Sequence, residues 1–431
     1  MNRRDWKRQR RQKRSLYGGQ KTAPFKAVLA VLLCIAAIVV LYLFALPDKY
    51  HFLKNISLPE WPKAKKEPEI TEATPSPTMR PTPTPTPEPA FDIASWKRDH
   101  IRVRGIYVTG PVAGSDRMEE ILEIVEATEL NALVIDIKND EGAVTFKPEG
   151  GSVFELETGV GYIRDIGALM ERLKERNIYT IARIACFKDP MLAKARPELQ
   201  LTAANGRPVT DKNGLEWVNP CNEEVWEYLT ELGEMAADLG FDEIQYDYVR
   251  FPVGDEASNA DFGEEVTSDN KHEYIAGFLT YATKRIHEKG IPVTADVFGT
   301  IIGNPVDAQS VGQDYAELAG IVDALCPMVY PSHYGAGVFN IPVPDAKPYD
   351  TVLASLTASV EELSEVPKER CAVVRPWLQA FTATWVKGHI NYDQKEIRAQ
   401  IDAVKDAGYE EWILWNAKNN YEAGWLAAEA E

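Results

Sequence analysis

Two aspartates are the residues from which chemistry can first be argued. Asp247 lies in the stretch 241–252, FDEIQYDYVRFP, where Glu243, Gln245 and Asp247 alternate with Ile244, Tyr246 and Tyr248. Such period-two alternation of polar with β-branched and aromatic residues reads as a strand. A buried strand ordinarily carries apolar groups on both faces. Here one face is polar and ends in a carboxylate with Arg250 close behind it. Desolvating such groups costs several kcal/mol unless they are paired. An edge strand with one wet face would account for the pattern. An active-site strand accounts for it better, given its place among the other strands. The second aspartate, Asp296, stands between Ala295 and Val297 in an apolar strand. Burial there disfavours its charged form. Asp247, beside Arg250, is expected to work ionised. A carboxylate and a carboxylic acid on neighbouring strands are what hydrolysis of a glycosidic bond needs, one as nucleophile or base and one as acid. The bland alternatives are a structural Asp247–Arg250 ion pair, and an Asp296 that caps a loop or binds a backbone amide.

Something must bring those residues together, and the chain from about residue 100 onward supplies it. Strand-like stretches at 103–108, 133–137, 178–184, 241–252, 291–297, 323–330, 371–378 and 411–416 alternate with helical patterns. One such helix opens at Asp116 with Glu119 placed for a capping box, and another is capped by Asn222. Eight strands alternating with helices predict an α/β fold, a (β/α)8 TIM barrel. A doubly wound open sheet is the runner-up, weakened because no glycine-rich phosphate loop follows the first strand. Helix-to-strand links are short, while strand-to-helix links are long after strands two, three, four and six. The third carries Asn205-Gly206, a hairpin tip. In a barrel all the long links rise from one rim, where such enzymes work.

The strand ends then give a list of residues at that rim. Asp136, Lys138 and Asp140 share one face after strand two, and Arg183 ends strand three. Gln245, Asp247 and Arg250 end strand four, and Asp296 ends strand five. Met328, Tyr330 and His333 follow strand six, Trp377 and Gln379 strand seven, and Trp415 and Asn416 strand eight. Carboxylates face aromatics across a mouth. That mixture suits a sugar, whose C–H faces pack on rings while carboxylates and amides take its hydroxyls. Asp136 and Asp140 fit loop or ligand orientation better than chemistry. Trp377 and Trp415 could equally be core.

At these residues the chain resembles the bacterial "putative glycosyl hydrolase" barrel family of envelope proteins. The matching segments are VIDIKNDEG at 134–142, the stretch 241–252, ADVFG at 295–299, MVYPSHY at 328–334 and RPWLQAF at 375–381. The likeness spans roughly residues 100 to 425. Trp217-Val218-Asn219-Pro220, followed by a helix and the Asp247 strand, is also similar to amylase-related hydrolase barrels. In those relatives an aspartate ending strand four is the nucleophile and a carboxylate on strand five is the acid. The resemblance therefore implies Asp247 and Asp296 as catalytic, although the relatives more often carry glutamate at the second position. Chitinase-type barrels have DxxDxDxE on strand four. Here Asp242 and Asp247 are present, but Tyr248 and Val249 stand where the last glutamate should be, which argues against that mechanism.

The rest of the chain bears on place and partners. The first 26 residues hold ten Lys or Arg and one acid, Asp5, near +9. The whole chain is −18, so the remainder is about −27. The run 27–46 has no charged residue over 20 positions, about the length of a membrane-crossing helix. It ends in Leu-Tyr-Leu-Phe-Ala-Leu-Pro, unlike the small residues before a signal cleavage site. The expected organisation is a basic cytoplasmic tail over 1–26, an uncleaved transmembrane helix over 27–46, a Pro/Thr-rich linker over 47–95 and a barrel over 96–431. Basic flanks stay in the cytoplasm, so the barrel is expected outside the cell membrane. An acidic remainder repels nucleic acid. Of the five cysteines, Cys186 and Cys221 are the pair to test for a disulfide; free buried thiols suit so large a domain better. No histidine spacing calls for a metal, and nothing calls for another cofactor. Two functions from different classes stay open: an anchored hydrolase of an envelope or environmental polysaccharide, and a non-catalytic glycan-binding barrel that organises the envelope. A deacetylase is weaker, for want of a ligand cluster. Oligomeric state is not legible.

Overall fold

The computed structural model describes residues 91–254, 257–263 and 266–426. The expected tail, membrane helix and most of the linker lie outside them. Among the described residues no helix is long and apolar enough to cross a membrane. A short helix over Ile93–Asp99, N-capped by Asp92, begins three residues ahead of the expected barrel boundary.

Eight parallel strands follow: β1 Arg104–Val108, β2 Ala132–Lys138, β3 Tyr179–Ala185, β4 Glu243–Asp247, β5 Val293–Phe298, β6 Ala324–Met328, β7 in two segments (Val373–Val374 and Trp377–Gln379) and β8 Trp412–Trp415. Each pairs with its sequence neighbours, and β8 pairs with β1, Arg104 opposite Trp412, so the sheet closes. The eight strands expected from the sequence are the eight observed. An open doubly wound sheet is excluded by that closure. Pro376 splits β7 because it has no N–H to give the ladder. Its carbonyl still accepts from Ile413 N at 3.0 Å.

Apolar residues divide into two cores. The larger lies between barrel and helices, where the outward residues of the strands meet helices such as Glu223–Asp238 and Lys271–His287. Ile244 and Tyr246 point there; Glu243, Gln245 and Asp247 point inward. The smaller core lines the barrel interior and includes Val134, Ile181, Cys326, Trp377 and Ile413. It is flanked by charge. At the N-terminal end of the barrel, Arg375 Nη1 donates to Glu243 Oε1 at 2.6 Å and Nε donates to Glu411 Oε2 at 2.8 Å. His100 sits 2.6 Å from Glu411 and closes that end. The interior is thus a stack of polar and apolar layers, and its C-terminal layer is the mouth.

Local expectations fared unequally. Asn222 caps its helix through the N–H of Glu224. Asp116 makes no side-chain cap, because it already has helical backbone angles (φ −61°, ψ −22°) and cannot reach back over the first turn. The hairpin at 205–206 is present, with Gly206 at φ +77° and Thr202 bridged to Pro208. The four cysteines among the described residues are free thiols, so Cys186 and Cys221 are not joined.

Candidate active site

The links after β3, β4, β5 and β6 line a cavity of about 640 Å³ over the C-terminal end of the barrel. At its floor sits Arg183, delivered by β3. Its Nε donates to Asp247 Oδ2 at 3.0 Å and its Nη2 reaches the same oxygen. Its Nη1 donates to Asp136 Oδ1, whose other oxygen takes the hydroxyl of Tyr107. Asp296 Oδ2 lies 4.0 Å from Arg183 Nε, and Trp377 Nε1 donates to Asp296 Oδ1 at 2.7 Å. One guanidinium therefore gathers three carboxylates from β2, β4 and β5. Tyr107 and Trp415 stack at 4.0 Å, with the Arg183 guanidinium over both rings.

The carboxyl groups are not equivalent. Burial, then the charge of Asp247, pushes Asp296 well above the ordinary carboxylate range, against the pull of Arg183 and Trp377. Burial also raises Asp136, opposed by Arg183 and Tyr107. Asp247 is held by donors on both oxygens, since Oδ1 accepts from Tyr248 N at 2.6 Å. Tyr248 has a left-handed backbone, φ +50°, which a bulky residue adopts only when its surroundings impose it. That kink ends β4 and turns the chain out of the barrel immediately after the aspartate. Because Arg183 bridges both groups, the nearest oxygens of Asp247 and Asp296 are at most about 7 Å apart. That ceiling takes in both the ~5–5.5 Å of retaining enzymes and the lower end of the ~6.5–9.5 Å of inverting ones.

Several predicted residues converge on this cavity. Arg183, Asp247, Arg250, Asp296, Tyr330, His333, Trp377 and Trp415 line it. Others are placed elsewhere. Lys138 is fully buried against Asp189, at 2.9 Å, because a bulge between Asp136 and Lys138 breaks the alternation that would have put both in the mouth. Gln245 lies one layer deeper, donating to Cys326 Sγ at 3.4 Å. Gln379 and Asn416 fix loops. The first takes the N–H of Ser332 and donates to Asp345; the second donates to the carbonyls of Ala380 and Asn420. Asp140 stands behind the wall. Burial would raise it, but the hydrogen bond and charge of Lys188 hold it below its usual range.

Arg250 is the main correction. It does not pair with Asp247; Arg183 does. The kink at Tyr248 carries Arg250 away, and its guanidinium packs over Trp217, Phe298 and Tyr248. Sequence reasoning also passed over Tyr107, Lys188, Tyr248 and Phe298. Of these only Tyr107 left a usable signal, one residue from the end of β1 on the inward face.

Residues 105–421 match the family described as "putative glycosyl hydrolase domain". The chain belongs to that family. Membership makes the barrel a glycosyl hydrolase domain, and such a domain implies a carbohydrate substrate. Among solved structures, the glycoside hydrolase domain of PgaB (BpsB) from Bordetella bronchiseptica is similar over 77% of this chain and 100% of its own, at 13% identity and a TM-score of 0.56, which speaks for the fold alone. A hypothetical protein from Ruminiclostridium thermocellum is 35% identical over 44% of this chain and 97% of its own, with a TM-score of 0.40. An α-galactosidase from Thermus thermophilus aligns over 76% of this chain and 60% of its own, at 16% identity and a TM-score of 0.46. No curated protein matches this chain.

Proposed function

We propose that this chain is a membrane-anchored, extracytoplasmic glycoside hydrolase that cuts an envelope or environmental polysaccharide with Asp247 and Asp296 as its carboxyl pair. The observation that carries the reading is the division of the pair. Both lie at one mouth and both lie within reach of Arg183, yet burial and the neighbouring charge favour the protonated form of Asp296 while Asp247 accepts N–H donors on both oxygens. Asp296 is then the acid that protonates the leaving oxygen. Asp247 is the nucleophile, or the base that activates water. The indole of Trp377 holds the Asp296 carboxyl in place. Trp415 and Tyr330 offer ring faces to the sugar. Anchoring rests on the basic tail followed by the uncharged run 27–46.

A second reading has its own support. Both oxygens of Asp247 are already engaged, and Asp296 is only 1% exposed, as in a structural ion cluster beneath a glycan-binding mouth. The discriminating assay is reducing-end release from a panel of envelope and exopolysaccharides, with glycan binding followed in parallel. Release by wild type that is lost in Asp247→Asn and in Asp296→Asn supports the hydrolase. Binding without release from any member supports the binding barrel.

A further inference from the structure

The cavity is lined by four cations, Arg183, Lys188, Lys212 and Arg250, in a chain that is strongly acidic overall. Two of them are satisfied from within. Arg183 is held by Asp136 and Asp247, and Lys188 by Asp140 at 2.8 Å and Asp211 at 2.9 Å. The other two are not. Among the described residues neither Arg250 nor Lys212 has a carboxylate within ion-pair distance. The one hydrogen bond of the Arg250 guanidinium runs from Nη1 to the carbonyl of its neighbour Phe251, at 3.0 Å.

What holds Arg250 instead is aromatic. Its guanidinium carbon stands 4.8 Å from the ring centre of Trp217, 4.7 Å from Phe298 and 5.4 Å from Tyr248. Beyond the bond to Phe251 the guanidinium N–H groups have no hydrogen-bond acceptor among the described residues, and such groups meet a carboxylate two at a time. Burial lowers the pKa of Arg250, with Tyr248, Asp247 and Asp211 opposing, so its charge is costly to keep where it stands. A second donor in the same corner lacks an acceptor: Trp217 Nε1 is buried and has no hydrogen-bond partner among the described residues. Lys212, exposed, stands at the rim above. His333 lies across the mouth, its pKa lowered by burial and by Lys212. The carboxylates that line this corner, Asp211 and Asp247, are held by Lys188 and Arg183, which leaves Arg250 and Lys212 as its unpaired charges. A neutral sugar, with a donor and acceptors on each hydroxyl, would leave it half used.

We propose that the substrate is an acidic glycan, bound with a sugar carboxylate on the edge of Arg250 and with Lys212 as the outer guide. This rests on reading the cavity as the carbohydrate site of a glycosyl hydrolase domain, and it names the substrate class. The carboxylate-bearing residue sits beside the carboxyl pair on the β4–β5 side of the mouth, because Arg250 follows β4 and Phe298 ends β5. A planar carboxylate matches the two parallel N–H groups of one guanidinium. A phosphate, with three oxygens, would ask for more donors around it.

The test is equilibrium binding of the full chain, purified in detergent, to an array of oligosaccharides. The array carries hexuronic acids, their carboxyl-reduced counterparts and phosphate-substituted sugars. Wild type is expected to bind carboxylated members, and to lose roughly tenfold to a hundredfold when the carboxyl is reduced to the alcohol. In Arg250→Gln that preference should vanish. Arg250→Lys should restore part of it, and Lys212→Ala should weaken binding several-fold, most at low salt. Circular dichroism of each variant separates a lost site from a lost fold, and Lys212, being exposed, carries the test if Arg250 variants do not fold. The inference is overturned if carboxyl reduction leaves binding unchanged, if Arg250→Gln keeps the preference, if phosphate-bearing members bind in place of carboxylated ones, or if no carboxylated member binds. Arg250-dependent binding without any chain cleavage would leave the acidic site standing and remove the hydrolase. Cleavage of neutral glycans, indifferent to Arg250→Gln, would do the reverse.

Discussion

At the scale of single residues, Asp247 and Asp296 carry the chemistry proposed for the barrel. Asp247→Asn should keep the fold and lower turnover by three or more powers of ten, about 4 kcal/mol of transition-state stabilisation. The double variant with Asp296→Asn should be scarcely worse than either single, because the pair acts as a unit. Stability gives an independent reading of Asp296. Its folded pKa lies well above the ordinary value, from burial and then from Asp247, while the unfolded chain ionises normally. Above the ordinary carboxylate range the folded chain therefore binds the extra proton, and this group's contribution to stability falls as pH rises through its folded pKa. Asp296→Asn removes that loss and can still accept from Trp377. The variant should melt higher than wild type near pH 7, by on the order of 1–3 kcal/mol, and the gap should close below about pH 4. A variant that melts lower at neutral pH would show that the carboxylate is held as a stabilising ion. The placement of both aspartates at the mouth was legible in the sequence: the alternation in 243–247 survives intact in β4, and Asp296 stands between the outward Ala295 and Val297 of β5. Their cation was not. Arg183 is 64 residues from Asp247 in sequence and its neighbour only in space. Arg250 is close in sequence but is swung away by one left-handed residue, and no pattern of residue types announces such a backbone angle. Lys138 was misplaced for a similar reason, a bulge of one residue.

At the scale of elements, the ion cluster at the N-terminal end of the barrel is what joins strands distant in sequence. Arg375, between the two segments of β7, bonds Glu243 of β4 and Glu411 beside β8. Thr294 of β5 and Tyr179 of β3 add hydroxyls to Glu243. Burial raises Glu243 against the pull of Arg375, so the pair depends on both partners being present. Arg375→Leu leaves two buried acids facing each other and should cost about 3–5 kcal/mol, measured by chemical denaturation. Replacing Arg375, Glu243 and Glu411 together with apolar residues of similar volume should recover most of the loss; failure to recover would mean that the network sets strand register as well. The strands themselves were readable from period-two stretches spaced by helical ones, and Pro376 marked the break in β7. The layered polar interior was only half readable. The polar face of β4 was visible, but its partners come from β3, β7 and β8, and pairing at that range is a property of closure.

At the scale of the whole molecule, closure decides what can stand alone. The contacts that seal the barrel fall between Ile93 and Leu426: β8 on β1, His100 on Glu411, and Lys97 Nζ donating to the carbonyl of Cys371 at 2.7 Å. The helix Ile93–Asp99 supplies the last of these, so it works as part of the barrel and a boundary drawn at residue 96 would cut through it. A chain starting at Phe91 should therefore melt in one cooperative transition, at the temperature of the 431-residue chain in detergent. A chain starting at Arg102, which lacks Lys97 and His100, should melt lower. It loses the plug and leaves the buried Glu411 with Arg375 as its remaining partner, a cost of about 1–3 kcal/mol. Scanning calorimetry of the two truncations against the full chain makes the comparison. Equal melting of all three would show that the helix is an ornament of the linker, and a broad, non-cooperative transition for the Phe91 chain would show that the barrel draws on residues before it.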